Sequence, residues 1–114
     1  MKKHGVNKRA FFRVGTKLDA VLRIGNRRYN AIVVDISTGG MQIESDRELP
    51  VNEIILVTFK LNNHRMTAFC KIVRAAKGVD LEYLYGCKYD YVSKPDMKRI
   101  CSFIFDTQAL ERWA

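Results

Sequence analysis

From Thr16 onward the chain alternates apolar and polar positions with period two. Leu18, Ala20, Leu22 and Ile24 fall on one face and Lys17, Asp19 and Arg23 on the other, with Val21 the exception. That is the pattern of a half-buried strand. Gly25-Asn26 is a hairpin turn signal, and Tyr29 to Ile36, rich in Val and Ile, predicts a second strand. Thr38-Gly39-Gly40 breaks it, and Met41 to Glu44 alternates again. A loop around Asp46 to Asn52, with Pro50, precedes a fourth strand from Glu53 to Leu61. Asn62-Asn63 then turns the chain into a fifth, Met66 to Ala75. Gly78 marks the next turn, and Leu81 to Tyr91 predicts a sixth strand with an interruption at Gly86. Short strands at intervals of about ten residues suggest a closed or half-closed antiparallel barrel of six or seven strands.

After the last strand the period changes. Met97, Ile100, Cys101, Ile104 and Phe105 recur at i, i+3, i+4, i+7 and i+8, one face of a helix. Ser93 is its expected N-cap, Pro95 suits the first turn, and Asp96 complements the positive end of the dipole. The expected organisation is a single domain over residues 1–114. It has a basic N-terminal arm (1–15), a β-barrel (16–92) and a C-terminal helix (93–112). Along the last strand Tyr83, Tyr85, Tyr89 and Tyr91 read as one face between core and surface.

A chain of 114 residues is long enough to bury a core without staples and short for most two-domain enzymes. No apolar run approaches the ~18 residues of a membrane helix. No apolar stretch follows the basic N-terminus as a signal peptide requires, so a cytoplasmic protein is expected. Cys70, Cys87 and Cys101 form no CxxC pair and sit in apolar patterns, which predicts three buried free thiols. His4 and His64 have no partner at metal-ligand spacing, so no metal site is expected. No nucleophile, base and orienting group occur together, so the chain does not read as an enzyme.

Charge adds more. The net charge is +8, and residues 1–28 hold nine Lys and Arg against one acid, Asp19, while the remainder is balanced. A basic arm of this kind calls for an anionic partner, or serves as a solubilising tail.

Two short patterns carry candidate chemistry. Arg9-Ala10-Phe11-Phe12-Arg13 is an RxxxR at the junction of arm and barrel. Residues four apart lie about 13 Å from each other on an extended chain and about 6 Å on a helix. Either way two guanidinium forks can face one large anion and match phosphate or the O6/N7 edge of guanine. Taken alone, the pair reads more simply as solvated charge. Asp35-Ile36-Ser37-Thr38-Gly39-Gly40 is a DxSxxG at the end of the second strand. Alternation places Asp35 and Ser37 on one face, where a carboxylate can accept from guanine N1–H and N2–H and a hydroxyl can give and take. The two glycines permit close backbone approach or positive φ. Taken alone, this motif reads more simply as a turn capping its own amides.

Together, RxxxR at Arg9 and Arg13, some twenty residues of β pattern, and DxSxxG at Asp35, Ser37 and Gly40 resemble the PilZ domain family, bacterial receptors for cyclic di-GMP. The resemblance spans nearly the whole chain, and Gly86-Cys87-Lys88-Tyr89 is similar to the family's late glycine-containing strand. It implies a mainly β fold: a six-stranded antiparallel barrel with an arm that folds over ligand, and a C-terminal α-helix. Arg9 and Arg13 would grip phosphate and guanine, Asp35 and Ser37 would read a guanine edge, and Gly40 would leave room. Lys8, Gly39 and Lys88 are further candidates. The implied ligand is cyclic di-GMP, with no cofactor, and an unidentified downstream protein would receive the signal. No nucleic-acid partner is expected. The competing readings are a small basic barrel that binds nucleic acid, and a protein-interaction module independent of nucleotide. The first leaves DxSxxG unexplained and predicts basic residues across a strand face, whereas the surplus is confined to the arm and first hairpin; the second keeps the motifs. The sequence does not place Lys88 or Arg74 relative to a ligand.

Overall fold

A computed structural model of the chain describes residues 12–78 and 82–113. Six antiparallel strands are followed by one helix: β1 (Arg13–Ile24), β2 (Arg27–Ser37), β3 (Gly40–Ser45), β4 (Ile54–Leu61), β5 (His64–Lys77), β6 (Tyr83–Val92) and α1 (Lys94–Trp113). The strands close into a barrel in the order β1-β2-β3-β6-β5-β4, sealed by the pairing of β1 with β4 from Ala20↔Phe59 to Arg23↔Leu56. Closure leaves no strand of the barrel with an unpaired edge.

The turns form where the sequence signals them. Gly25, at φ +59°, opens the two-residue loop between β1 and β2, and Asn62 and Asn63, at φ 50° and 72°, form the loop between β4 and β5. Both loops bend with the twist of the flanking strands, which is why positive φ is needed there. The N-terminal part of β1 differs from expectation. The strand begins at Arg13, inside the stretch read as arm, because Arg13 and Val14 pair with Ser37 and Ile36.

Alternation breaks at bulges that a uniform period does not show. On β2, Val33 pairs with Ile43 and Asp35 with Gln42, so Val34 is an extra residue. On β5, Ile72 pairs with Cys87 and Arg74 with Gly86, so Val73 is extra. Each extra residue reverses which parity faces the core. The expected break at Gly86 is instead this shift in its partner strand, and β6 runs through Gly86 without interruption. A further bulge at Asp90 separates Tyr89 from Tyr91. The four tyrosines therefore do not share one face: Tyr85 is buried at 1% exposure, Tyr89 packs on the core, and Tyr91 is 62% exposed.

The barrel encloses Leu22, Val33, Ile36, Ile43, Val57, Cys70 and Ile72, all without exposed surface. Tyr85 joins them because its phenol is satisfied, accepting from the Leu49 amide (2.7 Å) and donating to the Arg47 carbonyl (3.0 Å). Helix α1 packs on β1, β2 and β4 through Ile100 and Ile104, which belong to the same core. Ser93 caps it as expected, its Oγ accepting from the Asp96 amide at 3.2 Å. The buried stripe is rotated from the expected one. Ile100, Phe103 and Ile104 face the barrel, whereas Cys101 and Phe105 face outward, with Phe105 74% exposed. Cys101 is thus not the buried thiol its apolar neighbours suggested. The i+4 and i+8 positions lie past the edge of a contact that spans one narrow stripe.

Two outcomes follow from this packing. Ile104→Ala is expected to cost about 2–4 kcal/mol of stability in denaturant titration, and Phe105→Ala no more than about 0.5 kcal/mol. Burial raises the Cys70 thiol pKa and pushes that of Cys87 up to about 12, the nearby Arg74 charge offsetting part of the rise at Cys87. A thiol-reactive dye at pH 8 should therefore label one cysteine per folded chain, at Cys101, and all three in denaturant.

A candidate ligand pocket on the outer face of the barrel

The DxSxxG segment lies where β2 turns into β3, and its geometry is set by short contacts. The Ser37 hydroxyl accepts from the amides of Gly39 (3.2 Å) and Gly40 (3.1 Å) and donates to the Gly40 carbonyl (3.1 Å). Ser37 thus folds its own turn, the simpler of the two uses read from the motif. Strand β6 grips this turn from the other side. The Tyr89 phenol donates to the Ser37 carbonyl (2.9 Å), and the Tyr89 amide donates to the Gly39 carbonyl (3.0 Å). Burial raises the Tyr89 pKa, which keeps the phenol protonated and able to donate. Tyr89 is a positioning residue that the motif reading missed. The signal available in sequence was only its place in the tyrosine alternation, which does not reveal a hydrogen bond.

The two glycines differ in kind. Neither has positive φ. A Cβ on Gly40 would lie 2.0 Å from the Cys87 carbonyl oxygen, where β3 and β6 approach closely, whereas a Cβ on Gly39 would meet nothing within 4 Å. The neighbouring strand by itself demands a bare backbone at Gly40, the position at which the resemblance leaves room for ligand.

Arg13 and Asp35 meet across β1 and β2. The Arg13 guanidinium donates to Asp35 Oδ2 at 3.0 Å, with side chains 33% and 21% exposed. At that exposure the pair contributes at most about 1 kcal/mol to stability, so its importance is positional. The bulge at Val34 makes it possible. Continuing the alternation of Ala31 and Val33, both buried, would turn Asp35 into the core. Arg13 is also held through its backbone, since the Gln108 side-chain amide of α1 donates to the Arg13 carbonyl at 3.3 Å.

These residues share one open cavity of about 270 Å³, lined among others by Arg13, Asp35, Ser37, Gly39, Gly40 and Lys88. Arg74, Gln42, Gly86 and Cys87 also line it. The structure therefore brings together every described residue of the two motifs and joins Lys88 and Arg74 to them. Arg9 and Lys8 lie outside the described residues. Among the described residues, no group of three or more His, Cys, Asp or Glu side chains is placed to hold a metal ion, and no helix is long and apolar enough to cross a membrane.

Comparison with known proteins agrees with this geometry. The PilZ domain family matches residues 7–106, most of the chain, and the chain belongs to that family. Its structure is similar to the inhibitor of motility MotI/DgrA of Bacillus subtilis (TM-score 0.80, 13% identity, 89% of this chain and 51% of that one). It is also similar to YcgR of Escherichia coli, solved in complex with c-di-GMP (0.76, 14%, 89% and 46%). A third similar structure is PlzA of Borreliella burgdorferi, also in complex with c-di-GMP (0.62, 16%, 90% and 43%). The chain spans about half the length of these solved proteins. No curated protein sequence matches it.

The contrast between the glycines is measurable. Gly40→Ala should lower stability by more than about 2 kcal/mol, since a strand must shift to admit the methyl. Gly39→Ala should change the denaturation midpoint by the equivalent of no more than about 0.5 kcal/mol.

Proposed function

We propose that this chain is a receptor for cyclic di-GMP. The ligand would be held in the cavity by Arg13, Asp35, Ser37 and Gly40, with Arg9 from the arm and Lys8, Gly39 and Lys88 as further contacts. The observation that carries this proposal is the Arg13–Asp35 pair at 3.0 Å on the wall of one cavity with Ser37, Gly40 and Lys88. Solved PilZ-containing relatives in complex with c-di-GMP support the choice of ligand.

The chemistry fits. Cyclic di-GMP carries two negative charges and two guanines. A guanidinium has five N–H donors, and the bond to Asp35 leaves Arg13 with donors for phosphate or for guanine O6 and N7. The Asp35 carboxylate can accept from guanine N1–H and N2–H. Adenine presents neither, so an adenine dinucleotide would leave a partly buried acceptor without its partner. The protein then acts by binding. Capture of the ligand fixes the N-terminal arm over it and changes the surface offered to a downstream protein, an output such as motility or exopolysaccharide control.

Isothermal titration calorimetry at fixed salt tests this directly. Cyclic di-GMP should bind at micromolar affinity or tighter, with cyclic di-AMP and GTP far weaker. Arg13→Ala and Asp35→Ala should each weaken binding at least about tenfold while leaving the thermal midpoint within a few degrees, as expected for a partly exposed pair. A folded wild-type chain that gives no heat with cyclic di-GMP would sink the proposal.

A further inference from the structure

The pocket contains an arginine that belongs to neither motif. On β5 the even positions Met66, Ala68, Cys70 and Ile72 are buried in the barrel, and the odd positions Thr67, Phe69 and Lys71 face outward. Unbroken alternation would send Arg74 inward after Ile72. The extra residue Val73 reverses the parity, so Arg74 pairs with Gly86 on the outer face and lines the cavity. A bulge that re-aims one side chain toward a cleft is a common use of this irregularity.

Gly86 completes the arrangement. A Cβ at this position would lie 2.9 Å from Arg74 Cζ and 3.0 Å from both Cγ and Nε, so the Arg74 side chain lies across the bare backbone of β6. The φ of Gly86 is not positive, so its backbone makes no demand for glycine. What needs the missing side chain is the arginine above it.

The charges point the same way. Arg13 is already paired with Asp35. Among the described residues the Arg74 and Lys88 side chains have no hydrogen-bond or ion-pair partner, although both line the same cavity. Among the described residues the cavity thus presents two uncompensated positive charges beyond the Arg13–Asp35 pair.

We infer that Arg74, turned outward by the Val73 bulge and laid across Gly86, is a third ligand-gripping arginine of this pocket, donating its N–H groups to a phosphodiester oxygen of the bound nucleotide. This rests on the receptor function proposed above and adds to it a contact that neither motif contains. The planar fork suits a phosphate, and an arm already laid flat loses less freedom on binding than a free one.

The test is calorimetry with cyclic di-GMP on the full chain and on Arg74→Ala, Arg74→Lys, Gly86→Ala, the Arg74→Ala/Gly86→Ala double variant and Asp35→Ala. Circular dichroism would check that each is folded. Arg74→Ala removes an exposed side chain and should fold normally. It should weaken binding at least about tenfold, as loss of a charged hydrogen bond does, and Arg74→Lys should recover part of that loss. Gly86→Ala should weaken binding in the wild-type background and change it less than about twofold once Arg74 is absent, because the two act as a unit. Should Gly86→Ala not fold, Arg74→Ala and Arg74→Lys decide alone. Wild-type affinity in Arg74→Ala, together with loss of binding in Asp35→Ala, would overturn the role of Arg74 and leave the receptor function standing. Absence of binding by the folded wild-type chain would overturn both.

Discussion

Strands β3 and β6 approach so closely at Gly40 that no side chain could stand between the Gly40 backbone and the Cys87 carbonyl. Because a side chain is absent there, the ladder from Gly40↔Lys88 to Ser45↔Tyr83 can form and the barrel can close between its third and sixth strands. The same approach carries Tyr89 to the DxSxxG turn, where its phenol and its amide take two carbonyls that would otherwise need other partners. Ser37 supplies the complementary donors and acceptors from within the turn. The turn is therefore held on both sides before any ligand arrives. Such pre-organisation spares a binding site the entropy of assembling itself.

On that scaffold the pocket is assembled from five strands. Arg13 comes from β1, Asp35 and Ser37 from the end of β2, Gly40 and Gln42 from β3, and Cys87 and Lys88 from β6, with Arg74 reaching in from β5. No one hairpin could supply this set. Residues that are distant in sequence come together because the strand order interposes β6 between β3 and β5.

Much of this was legible from the sequence, for reasons that can be named. The turns at Gly25-Asn26 and Asn62-Asn63 and the Ser93 cap were visible because each depends on chemistry within a few residues. The six strands and the helix followed from a change of hydrophobic period. The family resemblance correctly implied the closed barrel. What could not be read was set by contacts between strands. The bulges at Val34, Val73 and Asp90 leave no mark in a residue pattern, yet they decide that Asp35 and Arg74 face outward and that Tyr91 parts company with Tyr89. The motif contains Gly40, but the Cys87 carbonyl that forbids a side chain there lies 47 positions along the chain. Cys101 and Phe105 matched the helical period and still face outward, because periodicity locates a face without fixing its width.

The bond from Gln108 to the Arg13 carbonyl joins residues 95 positions apart. During synthesis β1 and β2 can pair early, since their hairpin is local and loop closure over short separations is fast. The anchorage of Arg13 is finished only after α1 has been made and has docked. The Arg13 side of the pocket is therefore completed later than the β1–β2 hairpin that carries it. A product lacking α1 would hold the DxSxxG turn without this tether on Arg13, so the two halves of the pocket wall depend on different parts of the chain.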